Sequence, residues 1–180
     1  MTAPDKHSRL RNDVRAALRP VPDFPDRGVL FQDITPVLAD AGLFGRVISA
    51  MAEPWTGAGI THVAAVESRG FVLGGAVAAA LGAGFLPVRK TGRLPRPAAR
   101  IEYALEYRQD VLEMHVDACP GGRVLMLDDV LATGGTAAAA CALVEKVGGA
   151  VVGAGFLLSI GVLGGSARLS GHRVETLVTC

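Results

Sequence analysis

The segment Val124–Ala140, VLMLDDVLATGGTAAAA, constrains the fold more tightly than any other part of the chain. Its apolar start, Val124–Leu127, predicts a fully buried strand, and two carboxylates, Asp128 and Asp129, follow where that strand is expected to end. A turn of small residues comes next, and residues 137–147 are predicted to form a helix. This order is typical of an open α/β sheet that binds its ligand at the carboxyl ends of its strands.

The turn in this segment, Ala132-Thr133-Gly134-Gly135-Thr136, has the chemistry to bind a phosphate. Its backbone N–H groups and the positive end of the following helix can surround phosphate oxygens. Asp128 and Asp129 would repel a phosphate, but they suit a ribose diol or a bound Mg²⁺. We therefore expect a ligand that carries both a phosphate and a sugar.

Composition favours a single domain of 180 residues with a substantial core. The net charge of +1 argues against a nucleic-acid surface and against an acidic tail. The mean hydropathy of +0.37 comes from Ala, Gly and Val, which suits a parallel sheet buried on both faces. The apolar stretches are shorter than the roughly 20 residues of a membrane-spanning helix.

A cytoplasmic location is expected, since the N-terminal residues contain no hydrophobic signal core. Three cysteines, Cys119, Cys141 and Cys180, lack metal-ligand spacing and are predicted to be reduced thiols. The four histidines are scattered along the chain, and we interpret them as surface or strand residues.

Helices and strands are predicted to alternate. An amphipathic helix over residues 6–18 is followed by an extended linker over 21–26. The later predicted helices cover residues 40–53, capped by Asp40, 71–81 and 137–147. The predicted strands cover residues 60–66, 84–88, 101–107, 111–116, 124–127, 150–160 and 174–178. The alternation predicts an α/β fold with a mainly parallel sheet and helices on both faces.

Two further segments carry groups suited to phosphate oxygens. Glu67-Ser68-Arg69-Gly70 follows the predicted strand 60–66, although an ordinary surface turn would have a similar composition. A basic loop, residues 89–96 with Arg100 beyond, is compatible with a solvated surface but favours an anion in so neutral a chain. Residues 101–116 predict a hairpin that is either an active-site lid or a plain surface hairpin.

The segment VLMLDDVLATGGTA resembles the phosphoribosyl-pyrophosphate (PRPP) motif of the type I phosphoribosyltransferase family. Four other segments resemble, in order, the family's hood, pyrophosphate loop, basic segment and flexible catalytic loop: residues 24–35, 67–71, 87–95 and 105–107. The family's adenine-specific branch is the most similar. The resemblance implies one phosphoribosyltransferase domain over residues 1–180, with the N-terminal helix and hood at 1–35 and the flexible loop at 90–115. Gln32 and Arg108 depart from the family's usual arginine and glycine.

The resemblance implies that adenine and PRPP react to give AMP and pyrophosphate, with Mg²⁺ as cofactor. It places the 5′-phosphate on residues 132–136. Asp128 and Asp129 would hold the ribose hydroxyls, directly or through Mg²⁺ and water, and favour an oxocarbenium-like transition state. The groups expected at the pyrophosphate are Glu67, Ser68, Arg69, Arg89, Lys90 and Arg93.

The resemblance also assigns the base. Adenine would contact Leu30, Phe31 and Arg69, and Glu106 would transfer a proton at the imidazole nitrogens of the base. The family's pyrophosphate loop often contains a non-proline cis peptide, which would lie at Glu67–Ser68 here. The family further suggests a homodimer.

Three alternatives stay open at this point. The base could be another purine, such as xanthine or hypoxanthine, although no lysine beside the apolar hood suggests a contact to an oxopurine carbonyl. The chain could be a non-catalytic regulator that senses PRPP. A generic dinucleotide-binding domain fits less well, because no G-x-G-x-x-G stands in the required context and the acidic pair precedes the glycines.

Overall fold

The computed structural model describes residues 6–104 and 109–180, and the chain divides into two compact units, Met1–Ala50 and Met51–Cys180. The elements of the first unit are α1 (Ser8–Ala17), β1 (Arg19–Pro22), β2 (Leu30–Asp33), α2 (Thr35–Ala39) and the start of α3 (Ala41–Ala52). Asp40 caps α3 as predicted, since its Oδ1 accepts the N–H of Leu43 at 2.9 Å.

The predicted linker over residues 21–26 is partly wrong. Strand β1 pairs antiparallel with β2, from Arg19 opposite Asp33 to Pro22 opposite Leu30. The prolines that suggested a linker are tolerated because this sheet has only two strands, and an edge strand can lack ladder N–H donors.

The second unit contains the central sheet and its helices. After the short 3-10 segment Glu53–Trp55, its elements are β3 (His62–Val66), α4 (Arg69–Leu81), β4 (Gly84–Lys90), β5 (Ala98–Ala104), β6 (Gln109–His115), β7 (Arg123–Leu131), α5 (Gly135–Lys146), β8 (Ala150–Ser159), two further 3-10 segments (Gly161–Leu163 and Gly165–Leu169) and β9 (Arg173–Thr179). The predicted elements of this unit are therefore present, with shifted ends.

Seven strands form the sheet in the order β5-β6-β4-β3-β7-β8-β9. The pairs β4–β3, β3–β7, β7–β8 and β8–β9 are parallel, whereas β6 runs antiparallel to both β4 and β5. The chain leaves β3 through α4 toward β4 on one side, and it leaves β7 through α5 toward β8 on the other. The neighbours β3 and β7 therefore form a topological switch point, where open α/β sheets bind ligands.

Helices cover both faces of this sheet, as predicted. Successive strand residues point to opposite faces, and Ala64 packs in the same buried cluster as Ala140 and Cys141 of α5. Its neighbour Ala65 faces α4, where a Cβ at Gly74 would lie 2.5 Å from the Ala65 Cβ. No helix among residues 6–104 and 109–180 is long and apolar enough to span a membrane.

Candidate active site

The acidic pair lies inside a strand rather than after it. Strand β7 continues to Leu131, and Asp128 stands opposite Phe156 of β8. The pairing of β7 with β3, however, stops at Leu127. Asp128 and Asp129 therefore lie beyond the last residue pair that joins β7 to β3. The prediction that the strand ends before them is wrong because β8 continues to pair with β7 where β3 does not.

The two carboxylates have different partners. Asp129, 6% exposed, accepts a charged hydrogen bond from Nε of Arg69 at the start of α4. Asp128 accepts the N–H of Asp129 at 2.9 Å. Burial, followed by the charge of Asp129, raises the pKa of Asp128 well above its usual value of 3.8, although Arg69 opposes this rise. In the ligand-free protein, Asp128 therefore keeps its proton to a higher pH than an exposed carboxyl group does.

The glycine-rich turn connects β7 to the N-terminus of α5. Gly134 adopts φ +80°, a conformation that L side chains rarely occupy. A Cβ at Gly134 would also clash with the carbonyl oxygen of Gly165, and a Cβ at Gly165 would clash with that of Ala132. The turn is thus packed backbone to backbone, and α5 directs its positive end toward it.

The predicted pyrophosphate loop lies at the end of β3, beside the acidic pair. A Cβ at Gly70 would lie 2.6 Å from Oδ1 of Asp128, so only glycine lets the two segments approach this closely. The expected cis peptide at Glu67–Ser68 is wrong: the one cis peptide bond among the described residues is Phe24–Pro25. The unusual backbone of the loop is instead at Ser68, whose φ is +82°.

The basic segment begins with the last two residues of β4, Arg89 and Lys90, and each of these is paired with an acidic group. Nε of Arg89 donates to Oε2 of Glu67 at 3.2 Å, and Nη1 of Arg89 donates to the carbonyl oxygen of Arg93 at 3.1 Å. Nζ of Lys90 lies 3.3 Å from Oδ2 of Asp110 on β6. The fold therefore joins the basic segment directly to the predicted pyrophosphate loop.

The described structure brings together most of the predicted PRPP groups in the second unit, since β3, β4 and β7 are neighbours in the sheet. Leu30 and Phe31 lie on β2 of the first unit. Glu106 and Arg108 lie outside the described residues.

Sequence reasoning missed two residues at the turn between β7 and α5. One is Gly165, whose backbone packs against the turn. The other is Tyr103 of β5, whose hydroxyl accepts a hydrogen bond from Oγ1 of Thr136 at 3.3 Å. Neither residue belongs to a motif, and only the tertiary fold brings it to the turn.

The donor set fits a cation held together with a ligand. Asp128 and Asp129 are adjacent on β7 and offer carboxylate oxygens, which are ligands of the kind that Mg²⁺ prefers. No cluster of three or more His, Cys, Asp or Glu side chains that could hold a metal ion occurs among the described residues. The pair therefore suits a Mg²⁺ whose remaining ligands come from a substrate and water.

Comparisons with known proteins agree with this geometry. A family model described as "Phosphoribosyl transferase domain" matches residues 45–164. An adenine phosphoribosyltransferase from Myxococcus xanthus is 56% identical over 168 residues, which cover 93% of this chain and 91% of the relative.

Solved structures agree as well. The crystal structure of adenine phosphoribosyltransferase from Rhodothermus marinus superposes with a TM-score of 0.92 at 48% identity, covering 96% of this chain and 99% of that one. The Saccharomyces cerevisiae enzyme, complexed with adenine and an imino-altritol bisphosphate, superposes with a TM-score of 0.88 at 37% identity, covering 94% and 99% of the two chains. On the strength of the matched domain, the high identity and the shared fold, this chain belongs to the adenine phosphoribosyltransferase family.

Proposed function

We propose that this chain transfers the phosphoribosyl group of PRPP to adenine, giving AMP and pyrophosphate. One observation carries the proposal: Asp128–Asp129, the loop 67–70 and the glycine-rich turn converge at the switch point between β3 and β7. The choice of adenine is supported by the name of the Myxococcus xanthus relative and by the adenine in the yeast complex.

The turn from Ala132 to Thr136 is the proposed site of the 5′-phosphate. Support comes from the left-handed Gly134, the tight backbone packing on Gly165 and the N-terminus of a 12-residue helix. Backbone N–H groups and the hydroxyls of Thr133 and Thr136 would donate to phosphate oxygens. The helix dipole favours negative charge at this end.

Asp128 and Asp129 are the proposed ribose site. In the reaction the bond between C1′ and the pyrophosphate oxygen breaks, an imidazole nitrogen of adenine bonds to C1′, and the base loses a proton. Positive charge develops on the sugar as the leaving group departs. Two carboxylates beside the ribose hydroxyls would stabilise that charge, and they are fixed before the reaction by β7 and Arg69.

Mg²⁺ is the proposed cofactor, held by Asp128 and Asp129 together with oxygens of the substrate and water. When bound, it neutralises charge on the pyrophosphate and so improves the leaving group. This assignment is supported by the two adjacent carboxylates near the end of β7, whose oxygens are ligands of the kind that Mg²⁺ prefers.

The pyrophosphate is proposed to contact Arg69, Arg89, Lys90 and Arg93, together with Glu67 and Ser68. Support comes from the ion pairs Arg69–Asp129 and Arg89–Glu67, which already hold two guanidiniums near the loop. A departing pyrophosphate would compete with these carboxylates for the same donors. Arginine suits this task because its planar donors match phosphate oxygens in pairs.

Adenine is proposed to contact Leu30, Phe31 and Arg69, with Glu106 as the group that transfers the proton. On β2, Leu30 is 58% exposed, and Phe31 packs edge to face on Phe24 with centroids 5.1 Å apart. An exposed apolar surface of this kind suits a flat neutral base. Glu106 is assigned from the family motif alone.

The chain is further proposed to form one phosphoribosyltransferase domain, to assemble as a homodimer and to act in the cytoplasm. The family supports the single domain and the homodimer. The cytoplasmic location is supported by the three free cysteines, which are typical of a reducing compartment. Analytical ultracentrifugation of the purified chain tests the dimer.

The decisive experiment measures AMP formation from adenine and PRPP, with and without Mg²⁺, beside a panel of hypoxanthine, guanine and xanthine. We expect AMP to form only with Mg²⁺, and adenine to be preferred. Turnover of an oxopurine instead would assign another base. PRPP binding without turnover of any base would identify a regulator.

Site variants sharpen the assignment. Asp128→Asn and Asp129→Asn should each lower turnover by about 100-fold or more. The matched control is Asp117→Asn, which removes an exposed carboxylate paired with Arg96 at 2.9 Å. Wild-type rates in both site variants would contradict the ribose assignment.

Glu106→Gln should lower kcat more than it weakens PRPP binding, and an unchanged kcat would reject its proton-transfer role.

A further inference from the structure

Glu113 of β6 is a buried carboxylate near the end of the predicted flexible loop, residues 90–115, and it lies outside the five motif segments quoted for the family. Its side chain is 2% exposed, and with Asp129 it is one of two buried charged side chains among the described residues. A buried carboxylate is costly unless hydrogen bonds and opposite charge compensate it. The role of Asp129 follows from the ribose site, whereas that of Glu113 needs a separate explanation.

The contacts of Glu113 join two parts of the second unit. Its Oε1 accepts the hydroxyl of Thr91 at 2.8 Å, and its Oε2 accepts the N–H of Gly92 at 2.9 Å. Nε of Arg100 on β5 lies 2.6 Å from Oε1. The hydrogen bond from Thr91 contributes most to lowering the pKa of Glu113, and it acts against desolvation. The carboxylate is therefore held in its charged form.

The sheet register explains why Glu113 can make these contacts. In the antiparallel ladders, Glu113 stands directly opposite Arg89 of β4 and opposite Arg100 of β5. Directly opposed residues share one face of a sheet, with Cβ atoms about 4.5–5.5 Å apart. The carboxylate thus lies in a row between two arginines, and it binds the turn that begins two residues after Arg89.

We propose that Glu113 is a positioning residue for pyrophosphate binding. It holds the turn Thr91–Gly92 against β6, and thereby keeps Arg89, Lys90 and Arg93 in the arrangement that receives the pyrophosphate of PRPP. This proposal rests on the function proposed above. The physical reason is preorganisation: a flexible basic turn must be ordered when the anion binds, whereas an anchored turn is ordered beforehand.

Glu113→Gln tests the proposal with little change in shape. Glutamine keeps one oxygen acceptor but places an NH₂ group where the second oxygen stood, so it cannot accept from both Thr91 and Gly92. Thr91→Val removes one of the two bonds without changing a buried charge, and Thr91→Ser restores the hydroxyl. Asp117→Asn is the control, because it breaks an exposed ion pair with Arg96 elsewhere in the same region.

The measurements separate positioning from loss of fold. Calorimetry with PRPP and Mg²⁺ gives affinity without turnover, steady-state kinetics give KM for each substrate, and thermal unfolding reports the folded fraction. Glu113→Gln should weaken PRPP binding by roughly ten- to hundredfold and raise the KM for PRPP, with the KM for adenine unchanged. Thr91→Val should act in the same direction, and Thr91→Ser and Asp117→Asn should resemble wild type.

Two results would overturn the proposal. One is unchanged PRPP affinity in folded Glu113→Gln; the other is a loss of kcat alone, which a smaller active fraction would explain. If Glu113→Gln does not fold, Thr91→Val decides the question, and wild-type PRPP affinity in that variant rejects the positioning role. Failure of the proposed function looks different: the wild-type chain itself would neither bind PRPP nor form AMP.

Discussion

Arg69 and Asp129 are 60 residues apart in sequence, yet the Nε of Arg69 donates directly to Oδ2 of Asp129. The bond joins the N-terminus of α4 to strand β7 across the switch point of the sheet. Two groups assigned to different parts of PRPP, the pyrophosphate and the ribose, therefore hold each other in place. In the proposed complex with PRPP, the substrate would share or replace this bond.

Loss of this pair should destabilise the fold as well as the site. Arg69→Gln leaves two neighbouring carboxylates without their guanidinium, and we expect the free energy of unfolding to fall by about 1–3 kcal/mol. The expected value is below that of a fully buried pair because the Arg69 side chain is 35% exposed. Urea unfolding of Arg69→Gln, Asp129→Asn and the double variant measures it. Additive effects in the double variant would show that the pair is not coupled.

Asp128→Asn should stabilise the ligand-free fold while it lowers turnover. The raised pKa of Asp128 means that the folded chain holds this proton at a higher pH than the unfolded chain does. Its stability contribution is therefore lost as pH rises above about 3.8, the usual value. The Tm advantage of the variant should be small at about pH 4 and larger at about pH 8. Calorimetric scans across this range check the trend, and a constant difference would contradict it.

Gly165→Ala should weaken binding of the 5′-phosphate, although Gly165 belongs to no motif. Its new Cβ would clash with the carbonyl oxygen of Ala132 and lie 2.9 Å from the N–H nitrogen of Gly134, so the turn must move. We expect PRPP and AMP affinity to fall about tenfold or more, with overpacking costing about 1–3 kcal/mol. Gly75→Ala in α4, where a Cβ meets nothing within 4 Å, is the control. Equal AMP affinities in the two variants, measured by calorimetry, would refute the prediction.

The three thiols should differ sharply in reactivity. Cys180 is exposed, whereas Cys119 and Cys141 are buried. Burial, with a smaller effect from Glu145, raises the pKa of Cys141 to about 12, and burial also raises that of Cys119. Both therefore lack thiolate at neutral pH. A thiol reagent should label Cys180 in the native chain and all three only after unfolding. Fast native labelling of Cys180→Ser would contradict this.

The sequence was sufficient to predict the elements of the second unit. Hydrophobic periodicity and residue composition predicted the buried strands, the helix cap at Asp40, and the order of acidic pair, glycine-rich turn and helix. These features are local, because a strand or turn depends mainly on adjacent residues. The resemblance, whose motifs together span about residues 20–160, extended them to a family that the comparisons confirm.

Element ends and strained backbone were predicted less well. The end of β7 depends on β8, which continues to pair beyond Leu127 after β3 has stopped. The proline-containing segment near residue 21 pairs because β2 lies beside it. At the loop 67–70, the unusual conformation is the positive φ of Ser68 rather than a cis peptide. Each outcome depends on a partner segment that local sequence does not reveal.

By itself, the sequence determined the order of buried strand, acidic pair, glycine-rich turn and helix, and it predicted a ligand with a phosphate and a sugar because these groups are contiguous in Val124–Ala140. Only the tertiary structure decided which distant groups meet there. It paired Arg69 with Asp129, packed Gly165 against the glycine-rich turn and placed Glu113 between Arg89 and Arg100. The physical reason is that strand order and register set these distances, and both are determined by packing of the whole sheet rather than by any one segment.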